Sequence, residues 1–396
     1  MWGRNPARRR QGLSSPRHDG PMRPEDRTTV AVTGYLHALS HANLLSIPVF
    51  LTAWSEFSAD PATLGLLAAV AYACFGLSSL PFGSLADRRA SGPLLAVSAG
   101  GIAAALVAIS LSPSLPALAA SLGALGLAAG IYHPTGLSLI SRRVRETGRG
   151  FGWHGMGGSL GVALGPASVG VLLQAGWSWR LVAGLLVVPA LLGLALLLAS
   201  RVGREGDAPP VSEHVPVRAL LTSGMVLILL VYMFAGIAYW GSLTFLPRTV
   251  GTATYVGLLA LGAVGQVIAG RLADRQGAEW LLLGLSLAAA SLLLAFGVAS
   301  SNPPVILAGL FGFLLFSLEP LQNVLVTNEA PRGRRGLAFG MTFLAVFGLG
   351  SVGSALGGVL IQGGNTAVLF GVLAACLATS GGCAVLAARR RRPSVG

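Results

Sequence analysis

Lysine is missing altogether: the 27 basic residues of this 396-residue chain are all arginine. Acidic residues number only 14, and charged residues make up 10% of the chain, against about 25% in an ordinary soluble domain. Without lysine there is no G-x-x-x-x-G-K-[ST] loop to cradle a nucleotide, which excludes an ATPase of that type. Cysteine is nearly as scarce. Cys74, Cys376 and Cys383 all fall within apolar stretches. An odd number with no C-x-x-C pair predicts neither a zinc ribbon nor a disulfide framework. The first 28 residues hold no apolar core of signal-peptide length, and Asp19, Glu25 and Asp26 disfavour a transit peptide. They read as a disordered cytoplasmic tail.

What abounds is apolar sequence, 53% hydrophobic residues together with 55 glycines. A membrane helix needs about 20 apolar residues. Runs of that length stand at 29–53, 62–82, 93–112, 115–138, 150–175 and 180–200, then at 219–246, 252–270, 279–299, 303–326, 336–361 and 366–388. Twelve spans put both termini on one side. In a soluble chain a net charge of +13 would suggest nucleic acid. Here every arginine except Arg180 and Arg248 falls on the side of the termini, as arginine-rich cytoplasmic loops do. The charge reports topology, and no nucleic-acid partner is expected.

The chain repeats itself. Gly83-Ser84-Leu85-Ala86-Asp87-Arg88 follows the second span and Gly270-Arg271-Leu272-Ala273-Asp274-Arg275 follows the eighth. Arg149-Gly150 opens the fifth span and Arg335-Gly336 the eleventh at nearly the same offset. Two six-helix halves, 29–200 and 219–388, are therefore expected, joined by a polar linker at 201–218 and followed by a basic tail at 389–396. The same offset carries His133-Pro134 onto Glu319-Pro320, so an imidazole and a carboxylate occupy equivalent positions in the fourth and tenth spans.

Ionisable groups inside a bilayer are costly and mark function by default. His37, His41, His133, His154 and Glu319 are the candidates here, and His37 and His41 share one helix face. Burial should raise the pKa of Glu319 toward neutrality. With no carboxylate or thiolate cluster beside the histidines in sequence, no metal site and no cofactor are expected. Tyr72, Tyr132, Tyr239 and Trp240, with Gln322 and Asn323 one turn beyond Glu319, offer apolar contact with a polar tip for a small-molecule substrate. Gly157-Gly158-Ser159-Leu160-Gly161 fits a nucleophile elbow formally, but such an elbow needs a strand-to-helix turn. An intramembrane hydrolase is the remote alternative.

The paired G-x-L-A-D-R loops resemble the signature loop of the major facilitator superfamily over residues 29–388. The first copy lacks the family's closing glycine, having Ala90 where the second has Gly277. The fifth span, with Gly152, Gly161, Gly165-Pro166 and Gly170, is similar to the antiporter motif of that superfamily, Val169 replacing one glycine. Tyr132-His133-Pro134 and the first-helix histidines resemble the fosmidomycin-resistance branch, with Thr135 where that branch has an acid. These resemblances imply an all-α membrane protein of twelve helices in two pseudo-symmetric bundles, with the first, fourth, seventh and tenth helices around a central cavity. They imply a monomeric secondary transporter of the plasma membrane, with proton-coupled export as the leading reading and an uptake symporter or passive uniporter as the alternative. Glu319 and His133 are then the proton-coupling candidates. The gating candidates are Gly83, Asp87, Arg88, Gly270, Asp274 and Arg275 at the loops, and Gly161, Gly165 and Pro166 in the fifth span.

Overall fold

The computed structural model describes residues 22–145, 147–204, 216–298, 305–331 and 334–391, and at 147–149, 271, 273–276 and 391 the backbone alone. Among the described residues there is no strand. Twelve helices are long and apolar enough to cross a membrane. They are α1 (Pro24–Glu56), α2 (Pro61–Ala86), α3 (Ser91–Ser110), α4 (Leu115–Arg143), α5 (Gly150–Gln174), α6 (Trp179–Ser200), α7 (Ser223–Val250), α8 (Thr252–Gly270), α9 (Ala278–Val298), α10 (Val305–Glu329), α11 (Arg335–Gln362) and α12 (Thr366–Arg390). Each lies on one of the twelve apolar runs. The chain is a multi-pass membrane protein.

Two departures from the sequence reading have physical causes. The first helix begins at Pro24 and not near 29. Proline suits the first helical position because its missing N–H would be unsatisfied there anyway, and Glu25 and Asp26 complement the positive end of the helix. Asp26 is also buried, pairs with Arg23 at 3.2 Å and accepts from the Arg145 backbone N–H at 3.4 Å. The expected disordered tail therefore loses its last residues to a helix, and residues 1–21 lie outside the described residues. Most of the expected linker, 205–215, lies outside them as well. The second departure is in α11, which runs as a π-helix over Leu344–Leu349. Its widened turn is closed by a bond from the Gly350 N–H to the Ala345 carbonyl at 2.9 Å.

Within the first half α1 packs on α5, α2 on α4, and α3 on α4 and α6; within the second, α8 packs on α10, and α12 on α7 and α9. The halves meet along two seams, α2 against α11 and α5 against α8. The α2–α11 seam is built on glycine. Gly65 faces Ser354 and Gly358, Gly76 faces Gly348, and Gly83 faces Gly336 and Gly340. A Cβ added at Gly65, Gly76 or Gly83 would strike backbone of the other half. Small residues are what allow two helices to approach this closely.

On the face away from the arginine-rich loops, Asp60 caps α2. It accepts from the Thr63 hydroxyl at 2.7 Å and from the Thr63 and Ala62 backbone N–H groups at 3.1 and 3.2 Å. These bonds, the Thr63 hydroxyl foremost, hold its carboxyl below the ordinary 3.8. A depressed carboxyl pKa stabilises the fold above the unfolded value and is lost as pH falls through the folded one. Asp60→Ala should therefore lower the thermal midpoint at pH 7, and the gap from wild type should close as the pH is brought below 3.8.

Candidate functional site

The histidines expected from sequence converge inside the first half. His37 and His41 stand one turn apart on α1, and the third partner, His133, comes from α4. The His41 Nε2 lies 3.0 Å from the His37 Nε2 and 3.2 Å from the His133 Nε2. The His37 Nδ1 donates to the His154 carbonyl of α5 at 3.0 Å, and the two rings stack at 4.2 Å with 8° between their planes. The Tyr132 hydroxyl donates to the Thr33 carbonyl, tying α4 to α1. Space for the His37 ring comes from Gly158, where a Cβ would meet the imidazole.

The second half contributes the carboxylate. Glu319 of α10 accepts from the Gln266 amide of α8 at 2.8 Å. In turn the Ser159 hydroxyl of α5 donates to the Gln266 carbonyl oxygen at 3.1 Å. Ser159, Gln266 and Glu319 thus form a polar chain that crosses from one half to the other. The Glu319 side chain is exposed.

His133 and Glu319 occupy equivalent places in the two halves, but no contact joins them among the described residues. His133 meets His41 and packs against Phe75 and Phe343, with ring centroids 5.3 and 4.8 Å away. The residue that bonds Glu319 is Gln266; Gln322 and Asn323, expected against substrate, do not reach it among the bonds of the described residues. Gln322 is buried, and Asn323 accepts from the Tyr232 hydroxyl at 2.9 Å. Gln266 and Ser159 were missed as site residues. The available signal was a lone amide in the apolar eighth span, and a serine noticed only as part of an elbow pattern. Ser159 sits in a continuous helix with its hydroxyl bonded to an amide, so the elbow geometry is absent.

Tyr72 and Trp240, expected against substrate, are fully buried and stack on each other at 3.7 Å across the two halves. The Trp240 indole N–H donates to the Val346 carbonyl, inside the π-turn of α11, at 3.1 Å. Phe75 stacks on Phe347 in the same turn at 4.0 Å. These aromatics close the seam and are packed against each other in this conformation. Tyr239 lies beside them, edge-on to Trp240 at 4.8 Å and to Phe316 at 5.3 Å.

At the arginine-rich face, Asp87 of the first half accepts from the Leu337 N–H of the second at 3.2 Å. Leu337 lies in the first turn of α11, where unsatisfied N–H groups favour an anion. Gly83 supports the approach by packing on Gly336 and Gly340. Arg142 and Arg334 favour the charged form of Asp87, yet burial outweighs them and raises its pKa above 3.8. Arg88 is exposed. Of the second copy, Gly270 packs toward Pro320, whereas the side chains of Asp274 and Arg275 lie outside the described residues. Gly161 and Gly165 abut Ala38 and Ala42 of α1. They pack α5 within its own half, contrary to a direct role between halves, and it is Gly170 that meets Thr252 of α8.

Twelve membrane-length helices in two bundles, with a polar chain crossing between them and one clasp at the arginine-rich face, have the architecture of a membrane transporter. The chain belongs to the Major Facilitator Superfamily, whose family model matches residues 33–355 and 248–396. It is 25% identical over 364 residues to the fosmidomycin resistance protein of Escherichia coli (strain K12), covering 84% of this chain and 88% of that one. It is also 25% identical over 366 residues to the uncharacterized MFS-type transporter YfnC of Bacillus subtilis (strain 168), covering 86% and 88%. Among solved structures, a bacterial homologue of the human lysosomal transporter Spinster, inward-facing and unoccupied, matches with a TM-score of 0.68 at 16% identity, covering 93% of this chain and 96% of that one. The peptide transporter POT in complex with sulfate matches with a TM-score of 0.71 at 17% identity, over 93% and 96%.

The clasp makes a direct prediction. Because Asp87 spends much of its attraction on desolvation, Asp87→Asn should leave the thermal midpoint of the purified protein nearly unchanged. Transport should slow several-fold, since a neutral amide holds the α11 N-terminus less firmly. Wild-type turnover in the variant would contradict a role for the clasp.

Proposed function

We propose that this transporter moves a small molecule by alternating access and couples it to protons through Glu319, most simply as an exporter. The carrying observation is the Ser159–Gln266–Glu319 chain, which links the halves at the titratable group itself. When Glu319 is charged it is a strong acceptor for the Gln266 amide. Protonation weakens that bond and with it the tether from Gln266 to Ser159 of the other half. Proton binding and separation of α5 from α8 are then one event, which is what coupling requires. The arginine-rich loops support an orientation with both termini in the cytoplasm of a plasma-membrane protein, and the presence of both bundles in one chain supports a monomer.

Export is favoured by the resistance function in the name of one relative, and fosmidomycin belongs in the substrate panel on that ground. Thermal stabilisation of the purified carrier identifies a transported compound, which is then reconstituted in proteoliposomes with an imposed pH gradient. Glu319→Gln keeps the shape and the acceptor oxygen but cannot titrate. It should abolish accumulation against a gradient while substrate exchange continues at about the wild-type rate. A variant that still concentrates substrate removes Glu319 from coupling. A wild-type protein that equilibrates substrate and ignores the pH gradient is a uniporter, and accumulation with the opposite proton direction marks an uptake symporter.

A further inference from the structure

Four of the six histidines gather in the α1–α4–α5 cluster, His18 and His214 falling outside the described residues, and the arrangement is unusual for hydrogen bonding alone. One imidazole nitrogen carries either one proton or one lone pair. The His41 Nε2, at 3.0 and 3.2 Å from two other Nε2 atoms, therefore cannot complete an ordinary bond to both. The His154 carbonyl only accepts, so the His37 Nδ1 facing it at 3.0 Å holds that ring's proton. In the neutral ring the His37 Nε2 is then a lone pair directed into the cluster. The Nδ1 atoms of His41 and His133 are buried without a hydrogen-bond partner, so both rings make their polar contacts on the inner side.

The ligating nitrogens of His37, His41 and His133 all lie within 4.8 Å of one another. A tetrahedral zinc with nitrogens at about 2.0–2.1 Å needs them about 3.3 Å apart. The His41 Nε2 stands 3.0 and 3.2 Å from the other two, just short of that spacing, and the third pair is held within 4.8 Å, so the rings must readjust to meet one ion. The bond from His37 Nδ1 to the His154 carbonyl is the outer contact that fixes the tautomer and angle of a metal-bound imidazole. Tyr132, bonded to the Thr33 carbonyl, sets the distance between the helices that carry the three ligands. Among the described residues no carboxylate or thiolate joins the group, which selects imidazole-seeking metals over magnesium or calcium.

We propose that His37, His41 and His133 form a three-imidazole site for one borderline divalent transition-metal cation of the zinc or cobalt class, with its fourth position open to water or an anionic group. The site is independent of Glu319 and of the proton coupling proposed above.

The test uses tag-free protein in which His18 and His214 are replaced by alanine, titrated with Co2+ alone. One equivalent should bind and give the intense visible absorption of four-coordinate, nitrogen-ligated cobalt. Zn2+ should displace it and raise the thermal midpoint. His41→Gln should lose the band and bind about tenfold more weakly or worse, whereas His154→Asn, which removes a stacking ring but no ligand, should keep the band. The wild-type spectrum is decisive even where a variant fails to fold. A pale six-coordinate spectrum, or a cluster that holds only a shared proton and binds no cobalt, overturns the site.

Discussion

Two helices from opposite halves touch backbone to backbone in this protein, and the rest of the arrangement follows from that contact. Gly65, Gly76 and Gly83 of α2 meet Ser354, Gly348 and Gly336 of α11 with no room for a Cβ. In a bilayer, lipid tails are as apolar as leucine, so helices associate by close packing and polar bonds and not by the hydrophobic effect. Close packing over the whole seam brings the Asp87 carboxylate onto the α11 N-terminus, and Tyr72 and Phe75 onto Trp240 and Phe347. The π-turn at Leu344–Leu349 is the local distortion that exposes a carbonyl, that of Val346, to the Trp240 indole. Such turns concentrate at functional hinges. The α2–α11 seam therefore has the contacts of a closed state and a place at which to bend.

At the other seam, where α5 meets α8, the contact between the halves is polar. An ionised carboxylate at the centre of a membrane helix costs about 2.5–3.5 kcal/mol on insertion scales, more than a pair of ordinary hydrogen bonds returns. Glu319 keeps one protein partner, Gln266, and an exposed surface. That balance leaves its charge adjustable. The histidines have the opposite environment: they are packed among α1, α4 and α5 of one bundle. A carboxylate at the seam between the halves suits the proposed coupling role, and imidazoles inside one bundle suit holding something in place.

Most of the architecture was legible in the sequence, because hydropathy and arginine placement act locally. All twelve spans appear where the apolar runs stand. The start of α1 was misplaced because Pro24, Glu25 and Asp26 look like tail, while their suitability for a helix N-terminus outweighs polarity. At the site, the i, i+4 pair His37 and His41 was readable from spacing alone. Its convergence with His133 and His154 depends on how α4 and α5 are rotated against α1, which single-helix patterns leave undetermined. Tyr72 and Trp240 were misjudged for the same reason, since a polar aromatic in a membrane helix looks alike whether it faces a cavity or the other half. Gln266 shows the reverse: an unremarked amide became important only once α8 was placed between Glu319 and Ser159.

The central claim is that the halves separate and rejoin about these seams under control of protonation. It is tested most directly by the distance between spin labels at Arg88 of the first half and Asn328 of the second, both exposed at the arginine-rich face, with Cys74, Cys376 and Cys383 replaced. The account predicts two distance populations in lipid, whose ratio changes as the pH crosses the titration of Glu319. A single distance that stays the same from acid to alkaline pH would contradict it.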